Sequence, residues 1–221
     1  PWDRSLPAPM IIAIDGTTAS GKGTIAKRLS AHYGLPHMDT GRLYRATGIA
    51  AMRAGVSLDD ADGVAAVARS LDLTDFDEAD LRTAEAGKAA SVVAAIPEVR
   101  QALFELQRAF ATQPLGALLD GRDIGTIIAP EADAKLWVDA SVEVRAARRW
   151  RELCGQGSDI ALETVIEQLR VRDQRDQSRK DAPAEMAADA VLIDTTDLTI
   201  EAAVEKAIAA VEAAMARGNR A

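Results

Sequence analysis

Five short apolar runs mark the chain: Ile11–Asp15, His37–Asp39, Ala117–Asp120, Lys135–Asp139 and Ala190–Asp194, with the second the weakest. Sequence of helical periodicity follows each within a few residues. Short unbroken apolar runs suit strands buried on both faces. Their alternation with helices predicts an α/β fold with a mostly parallel sheet. All five runs end in aspartate. Ligands of open parallel sheets bind beyond the carboxyl ends of the strands, so five acids there predict a polar, functional edge. The plainer reading of any single one is a strand terminator or a helix cap.

The helices predicted are Thr24–Tyr33, Gly41–Arg53 behind Asp39-Thr40, Leu58–Ser70, Pro97 to Thr112, Ser141–Cys154, Leu162–Arg179 and Thr199–Arg217. The last opens on a capping threonine and closes before Gly218. Leu71–Lys88 is acidic and weakly periodic, and Leu58–Arg100 reads as a small insert on the sheet. Gly155–Asp159 reads as a Gly/Ser hinge between two basic helices, as a moving lid requires.

Composition narrows this picture. The 221 residues are 48% hydrophobic but only 4% aromatic, which predicts one domain with an aliphatic core. A single cysteine, Cys154, excludes a disulfide framework, and two histidines argue against a histidine-rich metal site. His32 is expected at a helix end, His37 at a strand start, Trp137 in the core and Cys154 as a small buried apolar group. No apolar run is long enough to cross a membrane. Pro1–Pro9 reads as an N-terminal extension or cloning remnant ahead of Met10, and the cytoplasm is the expected compartment. The net charge of −8 argues against a dedicated nucleic-acid binder, and a monomer is expected.

Ile11–Thr24 (IIAIDGTTASGKGT) carries the clearest chemistry. It reads strand, glycine loop, helix, with the spacing GxxxxGK followed by Gly-Thr. Gly16 and Gly21 let the backbone of Gly16, Thr17, Thr18, Ala19, Ser20, Gly21, Lys22, Gly23 and Thr24 curl, so that amides face phosphate oxygens. The helix N-terminus adds its dipole. Lys22 brings a point charge to the β- and γ-phosphates of a nucleoside triphosphate, ATP. Gly23 departs from the common pattern and leaves the Mg²⁺ ligand open between Thr24 and a bridging water. A GTPase would need an Asn-Lys-x-Asp base reader, and the sole asparagine is Asn219.

An acceptor pocket needs cations. Val165, Leu169, Arg172, Asp176 and Arg179 share one helical stripe that begins apolar and ends charged. Such a face fits a cleft filled by a charged ligand. It equally fits a helix that leaves the core after Leu169 and carries surface ion pairs. Asp120-Gly121-Arg122-Asp123 follows a buried strand, and the planar fork of Arg122 can chelate phosphate. Arg45 sits one turn into its helix, and Ser91 and Arg100 flank Pro97.

These residues resemble a known family. The segments Ile14–Thr24 (IDGTTASGKGT), Asp39–Arg45 (DTGRLYR), Ala90–Arg100 (ASVVAAIPEVR), Asp120–Ile127 (DGRDIGTI) and Arg172–Arg179 (RDQRDQSR) are together similar to bacterial cytidylate kinases, the (d)CMP kinases of the nucleoside monophosphate kinase group. The resemblance implies a P-loop kinase fold, a five-stranded parallel sheet of order 2-3-1-4-5 flanked by helices. It implies one domain over residues 10–221: a core over 10–57, 101–147 and 181–217, a monophosphate-binding insert over 58–100, and a lid over 148–180.

The resemblance further implies that Thr40, Arg100, Asp123 and Arg179 surround the cytosine, and that Ser91, Arg172 and Asp176 hold the pentose. Arg45 and Arg122 would bind the acceptor phosphate. Arg148, Arg149 and Arg151 would belong to the lid over ATP, and Asp194–Thr196 would lie near the adenine. Lys22, Arg122 and Arg172 would be catalytic, transferring the γ-phosphoryl of ATP, with Mg²⁺, to CMP or dCMP. Three departures stand out: an insert between Leu73 and Ala89 shorter than in members with extra strands, Thr40 where many have serine, and Thr17-Thr18 in place of a proline-containing pair. Two other readings stay open: a P-loop kinase for AMP, UMP or shikimate, and a nucleotide-binding module without catalysis. Intact Lys22 and the arginine set argue against the second.

Overall fold

The computed structural model describes residues 9–218. Asn219 and all of the N-terminal extension except Pro9 lie outside them. The chain forms two compact units. The first contains the described residues up to Met38, Arg108–Ala140, and the described residues from Glu185 onward. The second contains Asp39–Gln107 and Ser141–Ala184.

The strands are β1 (Ile11–Gly16), β2 (His37–Asp39), β3 (Ala117–Asp120), β4 (Ala134–Asp139) and β5 (Val191–Asp194). They form one sheet of order β2-β3-β1-β4-β5. This is the predicted order, and each predicted run lies on its strand to within a residue. β1 runs parallel to β3, with Ile12 beside Leu118, and to β4, with Ile14 beside Leu136. β4 pairs in parallel with β5. Both neighbours of β1 hydrogen-bond along its length, so its side chains can only enter the packed layers, and Ile12, Ala13 and Ile14 are fully buried.

In this first unit α1 (Lys22–Tyr33) and α9 (Ile200–Gly218) cover the sheet. Ile25, Ala26 and Leu29 of α1 meet Ala203, Ala207 and Val211 of α9 and Ile12, Ile14, Leu136 and Val138 of the strands. That core is aliphatic, as the composition requires. The Thr199 hydroxyl accepts the Ala202 amide at 3.2 Å and caps α9. Trp137 is buried, as expected.

The second unit holds α2 (Thr40–Arg53), α3 (Ala61–Arg69), α4 (Glu78–Leu81), α5 (Ala84–Val93), α7 (Val142–Gly155) and α8 (Leu162–Gln177), while α6 (Pro97–Ala111) begins in it. Residues 39–57 lie in this unit, where α2 packs on α5. Gly48 allows that approach: a Cβ there would stand 2.7 Å from Ala89 Cβ. The weakly periodic stretch 71–88 contains a 3₁₀ turn (Leu73–Asp75), α4 and the start of α5. Between residues 58 and 100 the chain forms helices and turns without a strand.

α7 and α8 form an antiparallel pair around Ala146, Leu153, Val165 and Leu169. Their connection is closed by the Ser158 amide donating to Leu153 O at 3.0 Å, and by the Trp150 indole donating to Ile160 O at 2.8 Å. Cys154 is exposed rather than buried. It faces outward because Leu153, its neighbour on the helix, takes the core position. No helix of the described residues is long and apolar enough to cross a membrane.

Candidate active site

The glycine loop leaves β1 through three left-handed positions: Gly16 (φ 149), Ala19 (φ 62) and Gly21 (φ 94). Gly16 is required twice over. Its φ disfavours side chains, and an added Cβ would collide with the Val138 carbonyl of β4. Ala19 holds a conformation that costs a non-glycine residue about 1–2 kcal/mol, so the surroundings must fix it.

They do so by hydrogen bonds. The Ser20 hydroxyl donates to Thr17 O at 2.9 Å, and the Thr195 hydroxyl after β5 donates to Ser20 O at 2.7 Å. The Thr17 hydroxyl donates to Asp139 Oδ1 at 2.6 Å, and Arg122 Nη2 donates to Thr18 Oγ1 at 2.7 Å. With its side chains and carbonyls tied to the sheet edge, the loop presents a curled main chain ahead of α1. Gly21 caps α1 without a side-chain bond, and its carbonyl accepts the Thr24 and Ile25 amides at 3.1 and 3.2 Å, so the positive end of the helix dipole faces the loop. Lys22 begins the helix, half-buried, and Thr24 is exposed on its first turn.

The five strand-end aspartates divide by task. Asp39 accepts the Arg42 amide and caps α2, and exposed Asp194 accepts the Thr196 amide. Those two match the plainer expectation. Asp139 anchors Thr17. Asp120 is 1% exposed and lies next to α1, where a Cβ on Gly23 would stand 3.7 Å from its Oδ2. Asp15 is 4% exposed and accepts the Ile124 and Gly125 amides, each at 2.8 Å. Burial pushes the Asp15 carboxyl up to about 7; the two amides and Arg122 oppose the rise, and Asp123 adds to it. Asp123 is buried at the start of a π-helical turn, Ile124–Ile128. Arg122 also donates to Gly121 O at 3.0 Å, so the loop after β3 braces its own guanidinium.

In the second unit, buried Thr40 opens α2, and Arg45 Nη2 donates to Asp39 Oδ2 at 2.6 Å. The Arg100 guanidinium stands 5.8 Å from the Tyr44 ring centroid. Ser91 is buried on α5, and its hydroxyl accepts from Arg175 Nη1 of α8 at 3.1 Å. Arg172 approaches α5 from the same helix; a Cβ on Gly87 would stand 3.7 Å from its Nη1. Arg145, buried on α7, pairs with Asp173 at 2.7 Å. Along the basic helix, Arg148 is half-buried, with its charged form disfavoured first by burial and then by Arg151. Arg151 is exposed, and Arg149 pairs with Glu152 at 2.7 Å.

Asp176 and Arg179 pair one turn apart at the end of the α8 stripe, and both side chains are only 6% exposed. The alternative of solvated surface ion pairs is therefore incorrect for these two. α8 does not leave the packed interior after Leu169. Removing one partner of a buried pair strands the other charge. Asp176→Ala should lower unfolding free energy by about 3–5 kcal/mol, read as a fall in urea midpoint. A loss below about 1 kcal/mol would mean that the pair is effectively solvated.

The first unit thus gathers the glycine loop, Arg122 and Asp123; the second gathers Ser91 and Arg172 across α5 and α8, Asp176 with Arg179, Thr40 and Arg45 on α2, and Arg100 against Tyr44. Arg175 was not singled out by sequence, and the bonds that Thr195 and Asp139 make to the glycine loop were not foreseen. Arg175 gave a signal only in its spacing three residues after Arg172. Among the described residues no group of three or more His, Cys, Asp or Glu could hold a metal ion.

The chain is similar to known proteins over most of its length. A family profile described as Cytidylate kinase matches residues 12–213. A cytidylate kinase of Methylocella silvestris is 58% identical over 205 residues, covering 93% of this chain and 95% of that one. Another, of Xanthobacter autotrophicus, is 59% identical over 204 residues, covering 92% and 98%. Among solved structures, a gluconokinase of Sinorhizobium meliloti superposes with a TM-score of 0.50 at 14% identity, covering 95% of each chain. A protein of Eubacterium ventriosum gives 0.52 at 14% identity, covering 92% of this chain and 98% of its own. These two likenesses concern the fold alone. With a matching profile over most of its length and relatives well above half identical, the chain belongs to the cytidylate kinase family and is a phosphotransferase.

Proposed function

We propose that the chain transfers the γ-phosphoryl group of ATP to CMP or dCMP, giving ADP and CDP or dCDP. The observation that carries this reading is the strained glycine loop, held by side-chain bonds at the carboxyl edge of the sheet, with Lys22 in the first turn behind it. Its amides grip the β- and γ-phosphates, and Lys22 balances the charge that builds between donor and acceptor.

The nucleophile is a phosphate oxygen of the monophosphate, ionised near neutral pH, so no general base is needed. Catalysis is positioning and charge compensation. Arg45 and Arg122 take the acceptor phosphate, and Arg172 adds positive charge while it holds the pentose with Ser91 and Asp176. Thr40, Arg100, Asp123 and Arg179 enclose the cytosine. Residues 58–100 serve as the monophosphate-binding insert and 148–180 as the lid, with Arg148 and Arg151 over ATP. Lid closure excludes water, the competing acceptor.

Thr24 offers a hydroxyl oxygen to Mg²⁺. A single protein oxygen together with phosphates and water is a fitting set for this hard, strongly hydrated cation. When bound, Mg²⁺ neutralises phosphate charge. The same reading carries a cytoplasmic monomer, checked by sedimentation at micromolar concentration.

Asp123 supplies base selection. Its carboxylate can accept from the 4-amino group of cytosine and repels the 4-carbonyl of uracil. Asp123→Asn offers uracil a donor instead. The ratio of kcat/KM for CMP over UMP should fall by about tenfold or more, and an unchanged ratio would remove Asp123 from base recognition.

A further inference from the structure

Asp15 has no part in the reaction as described, yet it sits where two loops of the first unit meet. It immediately precedes Gly16, the first glycine of the phosphate loop. Its Oδ1 accepts the Ile124 amide and its Oδ2 the Gly125 amide, each at 2.8 Å and across more than a hundred residues of sequence. Those amides open the π-helical turn directly after Arg122 and Asp123. Gly125 fits closely over the carboxylate: a Cβ there would lie 3.4 Å from Asp15 Oδ2 and 3.2 Å from Lys135 Cδ. The bond from Arg122 to Thr18 ties the same two loops a second time.

We propose that Asp15 is a positioning residue: its carboxylate, spanning two amides of the following turn, fixes Arg122 and Asp123 relative to the phosphate loop and so sets the affinity for the acceptor nucleotide. The inference rests on reading Arg122 and Asp123 as acceptor contacts. An ionised carboxylate offers lone pairs to both amides. Protonation places a hydroxyl against one of them and loosens the turn. The charged groups around Asp15 are Asp123 and Arg122 on the loop it caps, Asp120 at the end of β3, and Lys135 on β4, whose ammonium is held by Asp189 at 2.9 Å. With the Asp15 carboxyl pushed up to about 7, the cap is made on the alkaline side of neutrality and lost as pH falls.

The test compares wild type, Asp15→Asn and Arg122→Ala at pH 8 and pH 6. It reads KM for CMP, kcat, and the Kd of a non-hydrolysable ATP analogue. Asp15→Asn should raise KM for CMP by about tenfold at pH 8, with the analogue Kd within about twofold of wild type. The phosphate of CMP titrates identically in both proteins, so the variant-to-wild-type ratio of KM isolates Asp15 and should shrink toward one at pH 6. A ratio within about twofold at both pH values, with Arg122→Ala weakening CMP, would overturn the positioning role alone. An unchanged KM in Arg122→Ala as well would overturn the acceptor reading beneath it. If Asp15→Asn does not fold, the wild-type amide resonances of Ile124 and Gly125 decide: they should move together with a midpoint near pH 7, and stationary resonances between pH 5 and pH 9 would refute the proposal.

Discussion

Lys22→Ala should cut phosphoryl transfer steeply and leave the fold standing: kcat/KM should fall by about 10³-fold, a loss of about 4 kcal/mol of transition-state stabilisation. Lys22 is the first residue of α1, half-buried, behind a glycine cap with no side-chain bond. The hydrophobic contacts of α1 come from Ile25, Ala26 and Leu29, so the lysine contributes little to packing. Alanine is the best helix former, and the helix start should survive the change. Circular dichroism should therefore show a melting midpoint within about 2 °C of wild type, while steady-state ADP release collapses. Activity retained to within about tenfold would remove Lys22 from the phosphate site.

The second large effect is on stability. Gly16→Ala asks alanine to adopt φ 149 and places its Cβ inside the Val138 carbonyl. The conformational strain alone is about 1–3 kcal/mol, and the overlap forces β1 and β4 apart at the pair Gly16 and Val138. A total near 3 kcal/mol corresponds to a fall of about 6–12 °C in melting temperature for a chain of this size. Gly34→Ala is the control. Gly34 has φ 66 with no atom within 4 Å of an added Cβ, so it should cost about 1–2 kcal/mol from the backbone alone. Equal losses in the two variants would show that the approach to β4 is not what demands glycine at position 16. Because the same residue turns the chain into the phosphate loop, Gly16→Ala should also weaken binding of an ATP analogue.

The legible part of the fold was the part with contrast. β1 and β3 are short runs of Ile, Leu and Ala that end at aspartate or the glycine behind it, and β4 sets Leu136, Trp137 and Val138 between Lys135 and Asp139; runs this short, bounded by turn residues, suit buried strands. The phosphate loop was legible because glycine at fixed spacing between strand and helix has a backbone reason that can be stated in advance. α5 was not. Its buried face is Ala86, Ala89, Ala90 and Val93, and alanine in the midst of an alanine-rich stretch gives no stripe. Its start was set instead by the Thr83 hydroxyl accepting the Ala86 amide at 3.0 Å.

The side-chain network was hidden for a different reason. Asp15 to Gly125, Thr17 to Asp139 and Thr195 to Ser20 join residues more than a hundred positions apart. Periodicity is local and cannot see such pairs. The charged stripe on α8 lay between the two cases: its spacing was evident, but only burial of Asp176 and Arg179 separates a packed pair from a solvated one. Cys154 shows the limit of residue type as a guide. A small, usually buried residue is turned outward because Leu153 fills the interior position.

In the proposed reaction, a triphosphate held by this loop passes its terminal group to a cytosine mononucleotide. The most direct measurement is ADP release by the purified chain with ATP and Mg²⁺ across a panel of acceptors: CMP, dCMP, UMP, AMP and shikimate. CMP and dCMP should turn over at a kcat/KM at least about a hundredfold above that for AMP and shikimate, with UMP in between. ATP binding without transfer to either cytosine nucleotide, or a preference for AMP, would contradict it.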